Sequence, residues 1–362
     1  MRVLIVRIGA MGDVLHALPA VAAMRERHPD WFIGWALEPR WSDLLQIAGD
    51  EDDLSQDVRH GARALIDRWY RVPAGAWRHR PLSRATISDV LALRQVLRAE
   101  RFDVCVDMQG AMKSALVGKM AGAGVLAGMA RPRERAARWF YRQRVEMTTT
   151  HVVEQGCELL GEALGEVLRP ARVPLPMDAE DERWAAGVAG SERFCLISPS
   201  AGWGAKVWPA ERYGQVAAEL GRAGFRTLVN SPLIGVAQSS VRRSVQDAGE
   251  AERVIAASEG YACAVPCSLG QLIALVRRAA VTIAGDTGPL HLAAALERPV
   301  VGIYGPTDPR RNGPYGKRSG ARVRVLRDAS SLTSHKRAGD ADAGMLRIGV
   351  DEVVRAAMEV LG

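Results

Sequence analysis

Residues 281–316, VTIAGDTGPLHLAAALERPVVGIYGPTDPRRNGPYG, constrain the fold of this chain more than any other stretch. Residues 281–284 form a short apolar run ended by Gly285, the pattern of a strand buried on both faces of a parallel sheet. Thr287 is placed to cap a following helix with its hydroxyl, and Pro289 suits the first turn, where a missing N–H does no harm. Leu290 and residues 292–296 read as a short apolar helix stopped by Pro299, and residues 300–304 as the next strand, closed by Gly305 and Pro306. Such a helix start brings free N–H groups and the positive end of a helix dipole to the C-terminal edge of a parallel sheet. Anionic ligands bind at that edge, so the run predicts a diphosphate site.

The same alternation occurs elsewhere. Residues 3–8 read as a strand, followed by the loop Gly9-Ala10-Met11-Gly12 and a helical stretch from about Asp13 to Arg27. Residues 32–37 and 102–108 read as further strands, and 86–100 as an amphipathic helix. Residues 169–178 (RPARVPLPMD) contain three prolines and lead into an acidic run, the composition of an interdomain linker. The pattern then restarts with a strand at 194–198, a helix from Pro209 to about Arg222, a strand at 225–230 and a helix capped by Ser268. Strands alternating with helices predict doubly wound parallel sheets. The chain is therefore expected to be α/β, with two Rossmann-like domains of the GT-B type facing a central cleft. The expected boundaries are an N-terminal acceptor domain over 1–170 and a donor domain over 171–349. A C-terminal helix, 350–362, is expected to pack back on the first domain, and residues 329–344 to be a loop.

A length of 362 residues favours two cores over one, and 48% hydrophobic with 25% charged residues describes an ordinary globular composition. No uninterrupted apolar stretch approaches the roughly 18 residues of a membrane-spanning helix, and no signal peptide is expected. The five cysteines are scattered, and Cys263 with Cys267, the only close pair, has no His/Cys partner motif. Reduced thiols, a cytoplasmic location and no metal site are expected. The net charge of +7 is unevenly spread: residues 59–144 hold 18 Lys and Arg against 6 Asp and Glu. No nucleic-acid-binding motif accompanies this charge, so an anionic lipid headgroup or acidic glycan is the expected partner, against the alternative of a solvated Arg-rich face.

Asp13 either caps the helix it starts or acts as a base that takes a proton from an acceptor hydroxyl. His16, one turn later, either assists or packs. In the loop 198–209 (SPSAGWGAKVWP) small residues let backbone amides approach a ligand, and Lys206 supplies a point charge suited to phosphate. Lys206 with the helix start at Thr287 and Gly288 can neutralise a departing diphosphate without a metal. Asp286 is assigned to donor-sugar hydroxyls, with helix capping as the alternative; His291 either faces the phosphates or is buried.

At these residues the chain resembles a known family. RIGAMGDVLHALPA, Gln109-Gly110 with Lys113-Ser114, AGWGAKVWPAERY and GDTGPLHLAAALERPVVGIYGPTDP are similar to motifs of glycosyltransferase family 9, the ADP-heptose:lipopolysaccharide heptosyltransferases. The stretch RERAARWFYRQR (133–144), with His151, most resembles the heptosyltransferase I branch. The resemblance implies an inverting, metal-independent enzyme without cofactor that moves heptose from ADP-heptose to a Kdo sugar of lipid A. It implies a monomer, peripheral on the cytoplasmic face of the inner membrane, with no nucleic-acid partner. It makes Asp13 the base and places Ser200, Lys206, Asp286, Thr287, Gly288 and His291 on the donor. Gly12, Arg63, Gln109, Lys113, Arg135 and Arg142 become candidates for the acceptor. The alternatives are heptosyltransferase II or another family 9 transferase, a GT-B sugar-nucleotide epimerase, and a non-catalytic sugar-nucleotide or lipopolysaccharide-binding protein. The chain departs from the family in lacking a glutamate after the strand 225–230, where the loop begins Ser231-Pro232-Leu233, and in lacking cysteines over 330–343.

Overall fold

The computed structural model describes residues 1–45, 55–57, 64–232, 241–315, 322–334 and 340–362. They form two compact units, Met1–Pro176 and Met177–Gly362.

The first unit runs β1 (Arg2–Val6), α1 (Met11–Arg27), β2 (Phe32–Leu37), β3 (Ser55–Asp57), β4 (Arg68–Arg71), α2 (Ala74–His79), α3 (Arg84–Ala99), β5 (Val104–Asp107), α4 (Met112–Ala121), β6 (Val125–Met129), β7 (Gln143–Val145) and α5 (Val152–Leu164). Its sheet has the order β3-β4-β2-β1-β5-β6-β7, parallel except where β3 runs against β4. β1 is the central strand, and Val3, Leu4, Ile5 and Val6 are fully buried, as a strand covered on both faces requires. From β1 the chain winds first toward β2 and later toward β5, so the order reverses between them. At such a switch point the chain turns to opposite faces of the sheet after β1 and after β5, and both loops stand at the C-terminal edge, where ligands bind in open α/β sheets.

The second unit runs α6 (Ala179–Ala189), β8 (Phe194–Ser198), α7 (Ala210–Arg222), β9 (Arg226–Pro232), α8 (Val241–Ala256), β10 (Ala262–Cys267), α9 (Leu269–Arg278), β11 (Val281–Gly285), α10 (Gly288–Ala295), β12 (Val300–Tyr304), α11 (Pro309–Asn312), β13 (Val323–Arg327), α12 (Ala343–Arg347) and α13 (Val350–Leu361). The sheet order is β10-β9-β8-β11-β12-β13, all parallel, with the reversal between β8 and β11. The loop carrying Lys206 and the helix start at Gly288 follow those two strands, so the fold brings them to one switch point.

The last helix departs from expectation, because α13 packs within its own unit. Its Val353, Ala356, Ala357 and Val360 join the core that contains Trp208, Tyr213 and Ile303. The indole of Trp208 donates to Ile348 O (3.2 Å), and Arg212 Nη1 donates to Leu346 O and Ile348 O (2.6 and 2.9 Å). Steps of three and four between the buried residues give one apolar stripe, which the adjoining α7 and sheet satisfy locally.

Candidate active site

In the second unit β11 ends on a close backbone approach: a Cβ at Gly285 would lie 3.2 Å from Lys206 O. The glycine lets the Lys206 loop cross the strand end. There Lys206 Nζ sits 2.5 Å from Asp286 Oδ2 and 3.4 Å from Asp286 O, while His291 Nε2 lies 3.0 Å from Asp286 Oδ1. The side chains of Asp286 and His291 are each 5% exposed and that of Lys206 17%. Burial pushes the Asp286 pKa up, but the hydrogen bond and charge of His291 and the charge of Lys206 outweigh it and hold the carboxyl well below the ordinary range. The ammonium also lies 5.4 Å from the Trp203 ring centroid. Lys206, Asp286 and His291 are thus one cluster, with His291 buried. Both carboxylate oxygens of Asp286, expected on donor-sugar hydroxyls, are engaged by the lysine and the histidine.

The helix start beside this cluster keeps Pro289 in its first turn, but Thr287 does not cap it: its hydroxyl donates to Gly285 O at 3.3 Å. The hydroxyl is turned back toward the strand and caps none of the first-turn amides, while Thr287 O accepts from His291 N at 3.4 Å; the N–H groups ahead of His291 stand at the sheet edge with the helix dipole behind them. Gly288 begins the helix, and Ser200 lies half-buried in the loop after β8. Residues 233–235, where the family's acidic residue is missing, lie outside the described residues.

In the first unit Asp13 stands third in α1, after Gly12, and Ala10 occupies the cap position. Ala10 N donates to Asp13 Oδ2 at 3.3 Å, so the carboxylate does serve the helix start. Its other oxygen, Oδ1, is held by Arg7 Nη2 at 2.9 Å, and Arg7 Nε donates to Asp13 O at 3.2 Å. Arg7 Nη1 donates to Met108 O, which ties Asp13 to the loop after β5. Gln109 Oε1 accepts from Ile8 N at 2.9 Å, a second bond between the two loops. His16 is buried, with its ring edge-on to that of His151 (6.1 Å, 86°).

Asp107, at the end of β5, is fully buried and accepts from Gln109 N (2.9 Å), Gly110 N (3.1 Å), Ser114 Oγ (2.9 Å) and Tyr141 OH (2.7 Å). Burial raises its pKa, against the four hydrogen bonds. Gly110 has φ +67°, and a Cβ there would meet Arg133 N at 3.1 Å, so the turn requires glycine. Lys113 is exposed at the first turn of α4. Desolvation by its surroundings lowers its pKa, Glu38 opposes this, and Arg78, Arg133 and Arg40 add to it, so these cations gather around one edge.

The structure divides the remaining basic candidates. Arg135 is exposed at the start of the 3-10 turn Arg135–Phe140, beside Glu134, whose N–H bonds Gly110 O at 2.9 Å. Arg142 precedes β7 and donates to Gly124 O (3.2 Å) ahead of β6, at the N-terminal edge of the sheet and away from Asp13. Arg68 pairs with Glu100 (2.5 Å), so part of the basic segment holds the fold together. Arg63 lies outside the described residues. Arg7 and Asp107 went unread in the sequence, although each is a charge closing an apolar strand: the arginine directly after RVLIV, the acid ending VCVD.

The sequence model of glycosyltransferase family 9 (heptosyltransferase) matches residues 90–338. The chain belongs to glycosyltransferase family 9. It is a transferase built on the GT-B fold. Lipopolysaccharide heptosyltransferase 1 of Escherichia coli (strain K12) is 29% identical over 339 residues, covering 88% of this chain and 92% of the relative. The E. coli heptosyltransferase WaaC, solved with ADP-2-deoxy-2-fluoro heptose, superposes with a TM-score of 0.73 at 25% identity over 99% of both chains. A family 9 glycosyltransferase from Veillonella parvula DSM 2008 superposes at 0.77 with 20% identity, covering 99% of this chain and 97% of that one. Among the described residues of this family 9 chain, no group of three or more His, Cys, Asp and Glu is placed to hold a metal ion, and no helix is long and apolar enough to cross a membrane.

Proposed function

We propose that this family 9 transferase moves a heptose from ADP-heptose to a Kdo sugar of the lipid A inner core, with inversion at the anomeric carbon. The observation that carries the reading is the Lys206–Asp286–His291 cluster at the open start of α10. A diphosphate seated there meets a buried, oriented ammonium and helix amides, the preorganised positive field that a departing nucleoside diphosphate needs. Asp286 acts by aiming Lys206, and Thr287, Gly288 and Ser200 line the same edge for the donor. The names of the chain's relatives support ADP-heptose as that donor.

On the acceptor side Asp13 takes the proton of the attacking hydroxyl. The freed oxygen forms a bond to the anomeric carbon as the bond from that carbon to the diphosphate oxygen breaks, and ADP leaves with the electron pair. Arg7 holds one Asp13 oxygen. Gly12, Gln109, Lys113 and Arg135 lie along the same sheet edge and take the acceptor's sugar, carboxylate and phosphate groups; Arg142, which donates to Gly124 O, is left out of that role. The reading places the enzyme as a monomer at the cytoplasmic face of the inner membrane, where a lipid-anchored acceptor is presented.

Incubating the purified protein with ADP-heptose and Kdo-lipid A, followed by mass analysis, tests this. The expected result is an acceptor heavier by one heptose together with free ADP. A donor isomer formed without acceptor identifies an epimerase instead, and donor binding without turnover identifies a binding protein.

A further inference from the structure

A helix on the surface of a globular unit carries one apolar stripe, and α3 carries two. Leu93 and Leu97 face inward and are buried in the first unit's core with Phe102 and Tyr70. The opposite side exposes Ile87 (48%) and Leu91 (56%), and Leu82, just ahead of the helix, is 87% exposed. Arg84, Ile87, Leu91, Arg94 and Arg98 succeed one another at steps of three and four, so the exposed apolar pair lies within a line of arginines. The one acid of the helix, Asp89, is turned toward the Trp77 indole (3.5 Å). The neighbouring α4 repeats the pattern, with exposed Leu116 between Lys113 and Lys119.

We propose that this outer face of α3, with Leu82 at its leading end, seats the first unit on an anionic bilayer surface. Apolar side chains of modest number framed by arginines, with the helix's one acid turned to Trp77, match an interface where headgroup phosphates surround a shallow acyl layer. The location fits the chemistry as well. The chain leaves β4 into α2 at the same sheet edge that carries Lys113, and Arg78 of α2 lies within electrostatic reach of that lysine. An acceptor anchored in the layer beneath Leu82 would raise its sugar beside Lys113. The inference rests on the lipid-anchored acceptor proposed above, and its test is arranged so that the two fail separately.

The full chain is mixed with phosphatidylcholine vesicles, with and without added phosphatidylglycerol, and the sedimenting fraction is measured. Two variants are compared, Leu82→Ser/Ile87→Ser/Leu91→Ser and Arg84→Glu/Arg94→Glu/Arg98→Glu. Binding is expected only to the anionic vesicles and is expected to fall as salt is raised. Reversing the three arginines is expected to weaken it by on the order of a hundredfold or more. Because all six side chains are exposed, both variants should keep the wild-type melting temperature and full turnover on a water-soluble, deacylated acceptor. Equal binding to neutral vesicles, or undiminished binding by both variants, overturns the proposal. So does a self-association of the wild type in sedimentation velocity that both variants abolish, since the face would then join copies of this chain. Vesicle binding without heptose transfer to any acceptor removes the proposed reaction and leaves the surface standing.

Discussion

Lys206 Nζ lies 2.5 Å from Asp286 Oδ2, and both side chains are nearly withdrawn from solvent. The lysine proposed for the donor diphosphate is thus held at one end of a carboxylate whose other oxygen is bound by His291 at 3.0 Å. Orientation is settled in the fold, which spares the reaction the reorganisation a mobile surface lysine would need.

Lys206→Met is therefore expected to lower kcat by about 10²–10³-fold through lost stabilisation of the leaving diphosphate. It also removes the ammonium from beside the buried Asp286 carboxylate, at a stability cost of about 3 kcal/mol. Asp286→Asn should lower kcat with Lys206 still present, because the ammonium loses its aim. Steady-state kinetics with melting curves for both variants checks this; a Lys206→Met enzyme with wild-type kcat refutes the role.

Asp13→Asn keeps the hydrogen bond from Ala10 N but removes the base. Turnover should fall by about 10²–10⁴-fold while ADP-heptose binding, read by calorimetry, stays within experimental error. Arg7→Met should lower kcat by about tenfold or more, since it frees the carboxylate oxygen that the guanidinium holds, and Arg7→Lys should restore the rate in part. An unchanged kcat in Arg7→Met would show that the arginine serves only the loops.

The acid limb of stability reports on Asp286. Its folded-state pKa lies below the unfolded value of about 3.9, so its contribution is fully present above that pH. It is lost as pH falls from there toward the lower folded value. Urea unfolding measured as pH is lowered through about 4 should show a smaller loss for Asp286→Asn than for wild type. Parallel curves would mean that His291 and Lys206 do not stabilise the ionised carboxyl.

Gly110→Ala forces a Cβ into a backbone conformation at φ +67° and to within 3.1 Å of Arg133 N. A loss of roughly 1–2 kcal/mol in stability is expected, together with a raised KM for the acceptor and little change in donor affinity. A KM effect confined to the donor would place the Gln109 loop on the wrong substrate.

If Lys206 and the start of α10 supply the positive field at the diphosphate, chelation should leave the rate unchanged. Turnover measured with and without EDTA checks this, and a rate restored by added divalent cation would assign the charge elsewhere.

Much of the fold was legible because buried parallel strands write themselves as unbroken apolar runs. Residues 3–8, 194–198, 281–284 and 300–304 were found in this way, and the glycine and proline stops around them marked where the chain turns. The strands β4 and β7 were not found: RWYR and QRV are short, half polar and near the sheet edge, so periodicity does not distinguish them from loops. The helix over 350–361 was legible from its stripe, but a stripe says only that a surface is needed and not which one. Its place on α7 followed from packing.

The site divides along the same line. Residue type and local context marked Asp13, Lys206, Asp286, Thr287 and His291 as chemically able, because each stands at a strand end or a helix start. Two switch points in strand order then decided which residues meet: Lys206 with Asp286 across 80 positions, and Arg7 with Met108 across 101. Such pairings depend on the winding of the sheet, which no local pattern encodes. That winding also set Lys206 and His291 against the two oxygens of Asp286, and put Arg142 ahead of β7 at the N-terminal edge of its sheet. The sequence alone determined that a diphosphate-binding α/β pair would form; tertiary structure decided which charges face one another, because electrostatic pairing acts through space and the chain order does not.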